Sequence, residues 1–185
     1  MFTEIEAKLK VDSLQKVEKK LMQLGAKFVA EQLQSDIHFD NSNATLTNTD
    51  RCLRLRRQVV GESTGYFLTY KGAKEKSNYK KRQEIEIEFV DAESMRKLLS
   101  ALGYEQKLCV EKKRRLWRLG ECEVALDQLQ ELGSFVEIEG PDDEKIAGVQ
   151  RVLGLSDLPH IIQSYADLIE EKLRRLGKKQ REVCL

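Results

Sequence analysis

Three stretches of the chain place carboxylates at every second position, with apolar residues between them. They are Glu4-Ile5-Glu6-Ala7-Lys8, Glu84-Ile85-Glu86-Ile87-Glu88 and Glu137-Ile138-Glu139. Alternate side chains of a β-strand point to opposite faces, so each stretch predicts a strand with one acidic and one apolar face. Carboxylate oxygens that converge from several strands are suitable ligands for Mg²⁺ or Mn²⁺. The first candidate chemistry is therefore the binding of a divalent metal.

Basic residues follow the same two-residue spacing elsewhere in the chain. Lys8, Arg54, Arg56, Lys71 and Arg82 all fall on the polar faces of predicted strands. In the run from 112 to 115, parity pairs either Lys112 with Arg114 or Lys113 with Arg115, and it does not choose between the two pairs. Taken singly, each basic position is better explained as an exposed strand face or a cross-strand ion pair. Taken together, the basic positions suggest a shared site.

Two architectures accommodate these polar faces. One is an antiparallel sheet with a solvated face, and the other is a sheet closed into a barrel whose polar faces line the lumen. The barrel would enclose charges of both signs, which is costly without a ligand because unpaired buried ions are strongly unfavourable. A metal-chelated polyphosphate needs both signs, since Arg and Lys bind phosphate oxygens and carboxylates bind the metal. The chain has neither G-x-x-x-x-G-K-[ST] nor G-x-G-x-x-G, so side chains would hold the phosphates.

The helices follow the acidic strands in a regular way. Each strand leads into a capping residue, an amphipathic pattern and a glycine, which predicts helices that begin after Ser13, Asp91 and Asp142 and end at Gly25, Gly103 and Gly154. A last amphipathic pattern predicts a C-terminal helix from Ile161 to Leu176. A helix packed on the apolar side of each strand favours the closed barrel. We therefore expect an α+β fold in a single domain over residues 1–176, followed by a basic tail over 177–185.

Composition argues against several other classes of function. The chain of 185 residues has 32 Lys+Arg against 31 Asp+Glu, and its net charge of +1 gives no signal for nucleic-acid or membrane binding. The four cysteines, Cys52, Cys109, Cys122 and Cys184, form no C-x-x-C pair, and there are only two histidines, which argues against a zinc site and a disulfide framework. No signal peptide precedes the first strand and no apolar run is long enough to span a membrane, so we expect a cytoplasmic protein.

The ordered series of motifs resembles the CYTH superfamily, the triphosphate tunnel metalloenzymes. Glu4-Ile5-Glu6-Ala7-Lys8 is similar to the E-x-E-x-K signature of that family. The resemblance continues through Asp36-Ile37-His38-Phe39-Asp40, Leu53-Arg54-Leu55-Arg56, Leu68-Thr69-Tyr70-Lys71-Gly72, Arg82-Gln83-Glu84-Ile85-Glu86, Lys112-Lys113-Arg114, Leu126-Asp127, the block from Leu132 to Glu139, and Ser164-Tyr165. One E-x-E-x-K motif would be weak evidence, but the full series covers most of the chain.

The resemblance implies a closed eight-stranded antiparallel β-barrel, with helices outside and a triphosphate lying along the tunnel. The implied metal-binding residues are Glu4, Glu6, Glu137 and Glu139, with Asp127 as a further contributor. The implied phosphate-binding residues are Lys8, Arg54, Arg56, Lys71, Arg82, Lys112 and Arg114, which settles the parity question in favour of Lys112 and Arg114. Among them, Lys8, Arg54 and Arg56 are the expected catalytic residues, because cations neutralise charge on the leaving phosphate. The implied cofactor is Mg²⁺ or Mn²⁺.

The resemblance implies an enzyme acting on a nucleoside or inorganic triphosphate. The whole-chain likeness is greatest to class IV adenylyl cyclases, which convert ATP to cyclic AMP and pyrophosphate. Characterised cyclases share an H-F dipeptide before E-x-E-x-K, however, and Met1-Phe2 does not supply it. A triphosphatase acting on inorganic or thiamine triphosphate is the alternative, and a non-catalytic polyphosphate or nucleotide sensor is a third. Trp117, His160 and Tyr165 are interpreted as structural residues, and the sequence does not decide between a monomer and a homodimer.

Overall fold

The computed structural model of the protein describes residues 2–177, which form eight strands and five helices. The strands are β1 (Phe2–Lys10), β2 (Lys27–Asp40), β3 (Cys52–Val60), β4 (Ser63–Lys71), β5 (Lys80–Phe89), β6 (Glu105–Leu119), β7 (Cys122–Leu129) and β8 (Gly133–Glu139). The helices are α1 (Leu14–Gln23), α2 (Thr45–Asn48), α3 (Ala92–Ala101), α4 (Asp143–Leu153) and α5 (Tyr165–Arg175). The predicted basic tail lies outside the described residues from position 178 onward.

The eight strands form a closed barrel in the order β1-β5-β4-β3-β2-β6-β7-β8, and every neighbouring pair is antiparallel. Closure occurs at β1, which pairs with β5 on one side and with β8 on the other. Glu6 shows this directly, because it lies opposite Lys80 on β5 and opposite Glu139 on β8. The prediction of a closed eight-stranded antiparallel barrel is confirmed.

The alternation of polar and apolar residues along the strands separates the inside of the barrel from its outside. On β1, the even-numbered Glu4, Glu6 and Lys8 line the lumen, whereas Ala7 and Leu9 join the hydrophobic core outside it. Helices α1 and α4 cover this outer face and complete the largest hydrophobic cluster. A buried leucine contributes about 1.5–3 kcal/mol relative to an exposed one. The apolar faces therefore hold the helices against the barrel and fix the direction in which the polar faces point.

The helix boundaries follow local capping, mostly as predicted. The side chains of Ser13, Asp91 and Asp142 accept hydrogen bonds from backbone N–H groups at the starts of α1, α3 and α4. The last helix begins later than the predicted Ile161, because Ser164 and Asp167 form a capping box at the start of α5. The Ile161 backbone N–H instead donates to the carbonyl of Lys8. Within residues 2–177, no helix has the length and apolar character needed to cross a membrane.

Candidate functional site

The inner faces of the strands enclose a polar cavity of about 300 Å³. Side chains from all eight strands line it, and Ser164, Tyr165 and Ala166 contribute from the start of α5. The sequence-predicted residues on its wall are Glu4, Glu6, Lys8, Arg54, Arg56, Lys71, Arg82, Lys112, Arg114, Glu137 and Glu139. We call this cavity the channel. The structure thus brings eleven of the twelve predicted site residues to one wall, and their binding roles stay predictions.

Asp127 is the twelfth predicted site residue, and it lies behind the wall. It is fully buried, and its carboxylate accepts hydrogen bonds from Arg114, Lys112 and the hydroxyl of Tyr165. Arg114 also pairs with Glu137. Asp127 therefore holds two of the cations that line the channel and contacts the first residue of α5.

Two lysines hold the carboxylates of β1. The Nζ atom of Lys71 lies 2.8 Å from both carboxylate oxygens of Glu4 and 2.6 Å from a carboxylate oxygen of Glu84. The Nζ atom of Lys80 lies 2.6 Å from Oε1 of Glu6. These ion pairs are buried, so each ammonium group compensates a carboxylate that would otherwise be costly to enclose.

The carboxylates of this region differ in their tendency to ionise. Burial alone would raise the pKa of Glu4, but Lys71, Lys80 and Arg82 lower it to about 2. Partial burial and the neighbouring charges of Glu4 and Glu6 raise the pKa of Glu139 to about 7. A raised carboxyl pKa beside other carboxylates marks a place with excess negative potential. That potential favours the binding of an additional cation.

The donor set suits a hard divalent cation. Glu4, Glu6 and Glu139 would offer only carboxylate oxygens, which are the ligands that Mg²⁺ and Mn²⁺ accept. In the conformation seen over residues 2–177, no three His, Cys, Asp or Glu side chains are arranged to hold a metal ion. The reason is visible in the contacts, since Lys71 and Lys80 occupy the carboxylates of Glu4 and Glu6. A metal would bind here after those ammonium groups move to another anion.

The arginines of β3 are held by an acidic residue of β2. Arg56 donates from Nε to Oδ1 of Asp36 at 2.6 Å and from Nη2 to Oδ2 at 2.7 Å, which is a bidentate pair. Arg54 contacts the same carboxylate at 3.7 Å and donates to the hydroxyl of Thr69 at 3.0 Å. The guanidinium groups are therefore fixed in direction along the wall.

Lys8 is the most deeply buried cation of the channel, with 2% of its surface exposed. Its Nζ atom donates to the backbone carbonyl of Gln163, lies 3.3 Å from Glu137 and sits 4.3 Å from the centre of the Tyr165 ring. Lys112 lies 4.8 Å from the same ring. Burial, together with the charge of Arg114, lowers the pKa of Lys112 to about 8. The Tyr165 ring thus lies close to two ammonium groups that line the channel.

Some buried donors and acceptors along the channel have no partner within residues 2–177. They include the Nε atoms of Arg54 and Arg82 and the Oε1 atom of Gln34. Unpaired buried donors are unfavourable, and a bound anion would satisfy them. These side chains line the channel, so unused hydrogen-bonding capacity lies in its wall.

Three glutamines form a hydrogen-bonded cluster on the wall of the channel. The amide nitrogen of Gln34 donates to Oε1 of Gln32 at 2.7 Å and to Oε1 of Gln58 at 2.8 Å. Both hydrogens of Gln34 are thus used, which leaves its buried Oε1 as an acceptor. Leu116 and Ala125 line the channel as well. The glutamine cluster thus offers hydrogen bonds to a ligand beside Lys112 and Arg114, which lie opposite it on β6.

Sequence reasoning missed several residues of the wall. Lys80 shares the parity of Arg82 and Glu84 on β5, and that alternation was the available signal for it. Asp36 lies in a motif that was recognised, but its bond to Arg56 depends on the pairing of β2 with β3. Tyr165 was interpreted as structural, yet it lines the channel. His160 does have a structural role, because its ring nitrogens lie 2.9 Å from the Gln150 amide nitrogen and 3.2 Å from the Asn78 carbonyl oxygen.

Comparison with known proteins identifies the family. A model of the CYTH domain matches residues 3–165 of this chain, so the protein belongs to the CYTH family. A relative from Methanocaldococcus jannaschii, named "Putative adenylate cyclase MJ0240", is 35% identical over 136 residues, which cover 74% of this chain and 75% of the relative. The expected family relationship is thus confirmed.

Solved structures agree on the fold. The PH1819 protein from Pyrococcus horikoshii OT3 superimposes with a TM-score of 0.80 at 28% identity, covering 91% of this chain and 99% of that protein. A plant protein from Hippeastrum, HpAC1, has a TM-score of 0.66 at 18% identity, with 96% of this chain and 97% of that protein covered. It is described as a "putative adenylyl cyclase" that reveals a dominant triphosphatase activity. At that identity the likeness concerns the fold alone.

Proposed function

We propose that this protein is a metal-dependent class IV adenylyl cyclase that converts ATP to cyclic AMP and pyrophosphate. The observation that carries the proposal is the arrangement of cations and carboxylates on one enclosed wall. Lys8, Arg56 and Arg114 would bind phosphate oxygens, while Glu4, Glu6 and Glu139 would bind Mg²⁺ or Mn²⁺. The metal would supply neutralisation of the phosphate oxygens and a fixed geometry for the chain of phosphates.

Substrate binding would proceed by an exchange of partners. In the free protein, Lys71 holds Glu4 and Lys80 holds Glu6. A metal-bound triphosphate offers phosphate oxygens to the lysines and the cation to the carboxylates, so each ion keeps a partner of opposite charge. A metal alone, or a triphosphate alone, would satisfy only one side of each pair. Metal and triphosphate should therefore bind together.

The glutamine cluster of the channel supports the binding of a nucleoside. The buried Oε1 atom of Gln34 would accept a hydrogen bond from a hydroxyl or amino group of the substrate. In the cyclase reaction, the ribose 3′-oxygen bonds to the α-phosphorus as the bond from that phosphorus to the oxygen bridging to the β-phosphate breaks. The cations around Arg56 and Lys112 would then neutralise the charge that accumulates on the departing pyrophosphate.

A triphosphatase is the second candidate, because the same wall would bind inorganic or thiamine triphosphate. The HpAC1 protein, which shares the fold, is described as having a dominant triphosphatase activity. Water would replace the ribose hydroxyl as the attacking group, and the cations would have the same task. A non-catalytic sensor fits less well, because an anion sensor needs cations and gains nothing from the acidic cluster around Glu139.

Product analysis separates these functions. The purified protein is given ATP, thiamine triphosphate or inorganic triphosphate, each with Mg²⁺ or Mn²⁺, and the products are resolved by chromatography. Cyclic AMP with pyrophosphate in equal amounts is the expected result. Orthophosphate with a diphosphate would establish the triphosphatase instead. Binding in Mn²⁺ with no turnover of any substrate would establish the sensor.

A further inference from the structure

Cys52 is a free thiol on the wall of the channel. It is the first residue of β3, and it also lines a smaller cavity of about 90 Å³. Its Sγ atom lies 3.5 Å from Nδ1 of His38, a residue of β2 that lines the same two cavities. The thiol can therefore be approached from either cavity.

The charges around Cys52 favour the thiolate. Burial alone raises the pKa of a thiol, but a hydrogen bond with His38 and the charges of His38, Arg54 and Arg82 lower the pKa of Cys52 below its usual value. Lys71, which lies opposite Cys52 on β4, adds a further cation to the channel. Because the thiolate is the reactive form of cysteine, this environment raises reactivity at neutral pH.

The same place has unused capacity for an anion. The Nε atoms of Arg54 and Arg82 are buried and have no hydrogen-bond partner among residues 2–177, and the nearest carboxylate oxygen to Nε of Arg82 is that of Glu4, at the longer distance of 3.7 Å. Arg82 is 5% exposed, so solvent cannot compensate it well. A small anionic reagent entering the channel would find these donors beside the thiol.

We propose that Cys52 is a modification site for small electrophiles that enter the channel, and that a bound triphosphate shields it. In alkylation by iodoacetate, the sulfur forms a bond to the methylene carbon, the carbon–iodine bond breaks and iodide leaves. With a peroxide, the sulfur bonds to one oxygen, the oxygen–oxygen bond breaks and hydroxide leaves, so that sulfur is oxidised to sulfenic acid and the peroxide is reduced. The shielding rests on the proposed function, whereas the reactivity does not.

The test follows alkylation of the wild-type protein by peptide mass spectrometry. Anionic iodoacetate and neutral iodoacetamide are compared at Cys52, with 2-mercaptoethanol as the reference thiol. The iodoacetate-to-iodoacetamide rate ratio at Cys52 should exceed the ratio for the reference by about tenfold, because the positive charges of Arg54 and Arg82 near the thiol attract anions. The excess should shrink in 0.5 M NaCl, because salt screens the charges. The Debye length is about 3 Å at 1 M ionic strength.

Cys122 provides an internal control. It is also a free thiol, but it is 1% exposed, and burial with the charge of Asp142 raises its pKa. Cys52 should react much faster than Cys122 with both reagents. Equal rates at the two cysteines, or a rate ratio at Cys52 no higher than that of 2-mercaptoethanol, would overturn the proposed reactivity.

Inorganic triphosphate with Mg²⁺ tests the shielding. It should slow alkylation of Cys52 at least tenfold and leave Cys122 unchanged. If Cys52 reacts fast and triphosphate fails to protect it, the shielding is overturned and the result counts against the proposed function, while the reactive thiol would stand.

Two variants complete the test. His38→Phe should slow alkylation of Cys52. Iodoacetate should abolish triphosphate binding in the wild type but not in Cys52→Ser. Loss of binding in both would place the damage at another residue and contradict the proposal.

Discussion

Asp127 and Arg114 form a two-point ion pair in the barrel wall. The Nε atom of Arg114 donates to Oδ1 of Asp127 at 2.7 Å, and its Nη2 atom donates to Oδ2 at 2.5 Å. The Tyr165 hydroxyl donates to the same Oδ2 atom at 2.9 Å. The geometry thus gives Asp127 a role in fixing Arg114, one of the cations that line the channel. The role predicted from the sequence was different, namely contact with a metal ion. The two roles have different experimental consequences.

The Asp127→Asn variant distinguishes the two roles. If Asp127 fixes Arg114, the variant should bind inorganic triphosphate at least tenfold more weakly, which corresponds to about 1.4 kcal/mol. Its affinity for Mn²⁺, measured by calorimetry with triphosphate held at saturation, should change less. The opposite pattern would establish Asp127 as a metal ligand.

Tyr165→Phe is the matched control for that variant. It removes one hydrogen bond to the Asp127 carboxylate and keeps the ring beside Lys8 and Lys112. We expect a loss of about 0.5–1.5 kcal/mol in the free energy of unfolding. Circular dichroism confirms that both proteins are folded before binding is compared.

Arg56 and Arg57 provide a test of the channel itself. Arg56 faces the channel and is held by Asp36, whereas Arg57 is exposed on the outer face of the same strand. Arg56→Ala should weaken binding of triphosphate more than binding of diphosphate or monophosphate, because a longer chain of phosphates uses more of the wall. Arg57→Ala should bind all three as the wild type does. Equal losses for the three ligands in Arg56→Ala would contradict a channel that spans the phosphates.

Much of this site follows from the two-residue period of a strand. Parity alone places Glu4 and Glu6 on one face of β1, and Arg54 and Arg56 on one face of β3. Closure of the barrel turns both of these faces inward. Parity fails in the run from 112 to 115, where either alternate pair could face inward. The structure directs Lys112 and Arg114 inward, while Arg115 pairs with Glu18 of α1.

The partners of the buried charges could not be predicted in the same way. The Lys80–Glu6 pair joins residues 74 positions apart and depends on the register between β1 and β5. Register is set by the closure of the whole barrel and not by a local pattern. Tyr165 was missed for a related reason, since an aromatic residue at a helix start is ordinarily part of a core. Only the packing of α5 brings its ring close to both Lys8 and Lys112.

The charge of Glu4 should stabilise the metal-free protein above pH 4.5, and this contribution should be lost in acid. Lys71, Lys80 and Arg82 lower the pKa of Glu4 to about 2 in the folded protein. The ordinary value for a glutamate without such partners is 4.5. A lowered carboxyl pKa stabilises the fold above pH 4.5, and that contribution is lost as the pH falls from 4.5 to 2. The size is on the order of 3 kcal/mol. Glu4→Gln should therefore show a shallower loss of stability over this range in urea titrations.

Glu93→Gln is the control for the loss of stability between pH 4.5 and 2. Glu93 lies on α3, where it pairs with Lys97 on the exposed surface. Its replacement should leave the pH dependence of unfolding unchanged, because exposed ion pairs contribute little. The same slope between pH 4.5 and 2 in Glu4→Gln and Glu93→Gln would show that Glu4 does not stabilise the fold through its charge.

The exchange of partners predicts that metal and triphosphate bind cooperatively. In calorimetry, Mn²⁺ alone should bind weakly to the free protein, and its affinity should rise at least tenfold when inorganic triphosphate is present. Glu6→Gln should lose this enhancement together with metal-dependent turnover, since it removes a carboxylate that Lys80 holds in the free protein. Strong Mn²⁺ binding without triphosphate would contradict the exchange, and an active Glu6→Gln protein would remove Glu6 from the metal site.

Lys112 connects the stability of the barrel to its ligand. Burial and Arg114 lower the pKa of Lys112 to about 8, so its charge is unfavourable in the free protein. Lys112→Met should raise the free energy of unfolding at pH 7 by roughly 1–3 kcal/mol. The same variant should lose most of the stabilisation by metal-bound triphosphate, which at 100 times the Kd is about 2.7 kcal/mol for the wild type.

Differential scanning calorimetry with and without ligand measures both effects of Lys112→Met. A stabilisation of about 2.7 kcal/mol corresponds to a rise in Tm of about 5–10 °C for a chain of this length. Lys113→Met is the matched control, because Lys113 is the neighbouring residue on the exposed face of β6. It should change the free energy of unfolding by less than about 0.5 kcal/mol and keep the full ligand shift. A Lys112→Met protein that is less stable than the wild type, yet still gains the full shift, would mean that the ammonium group serves the fold and not the phosphates.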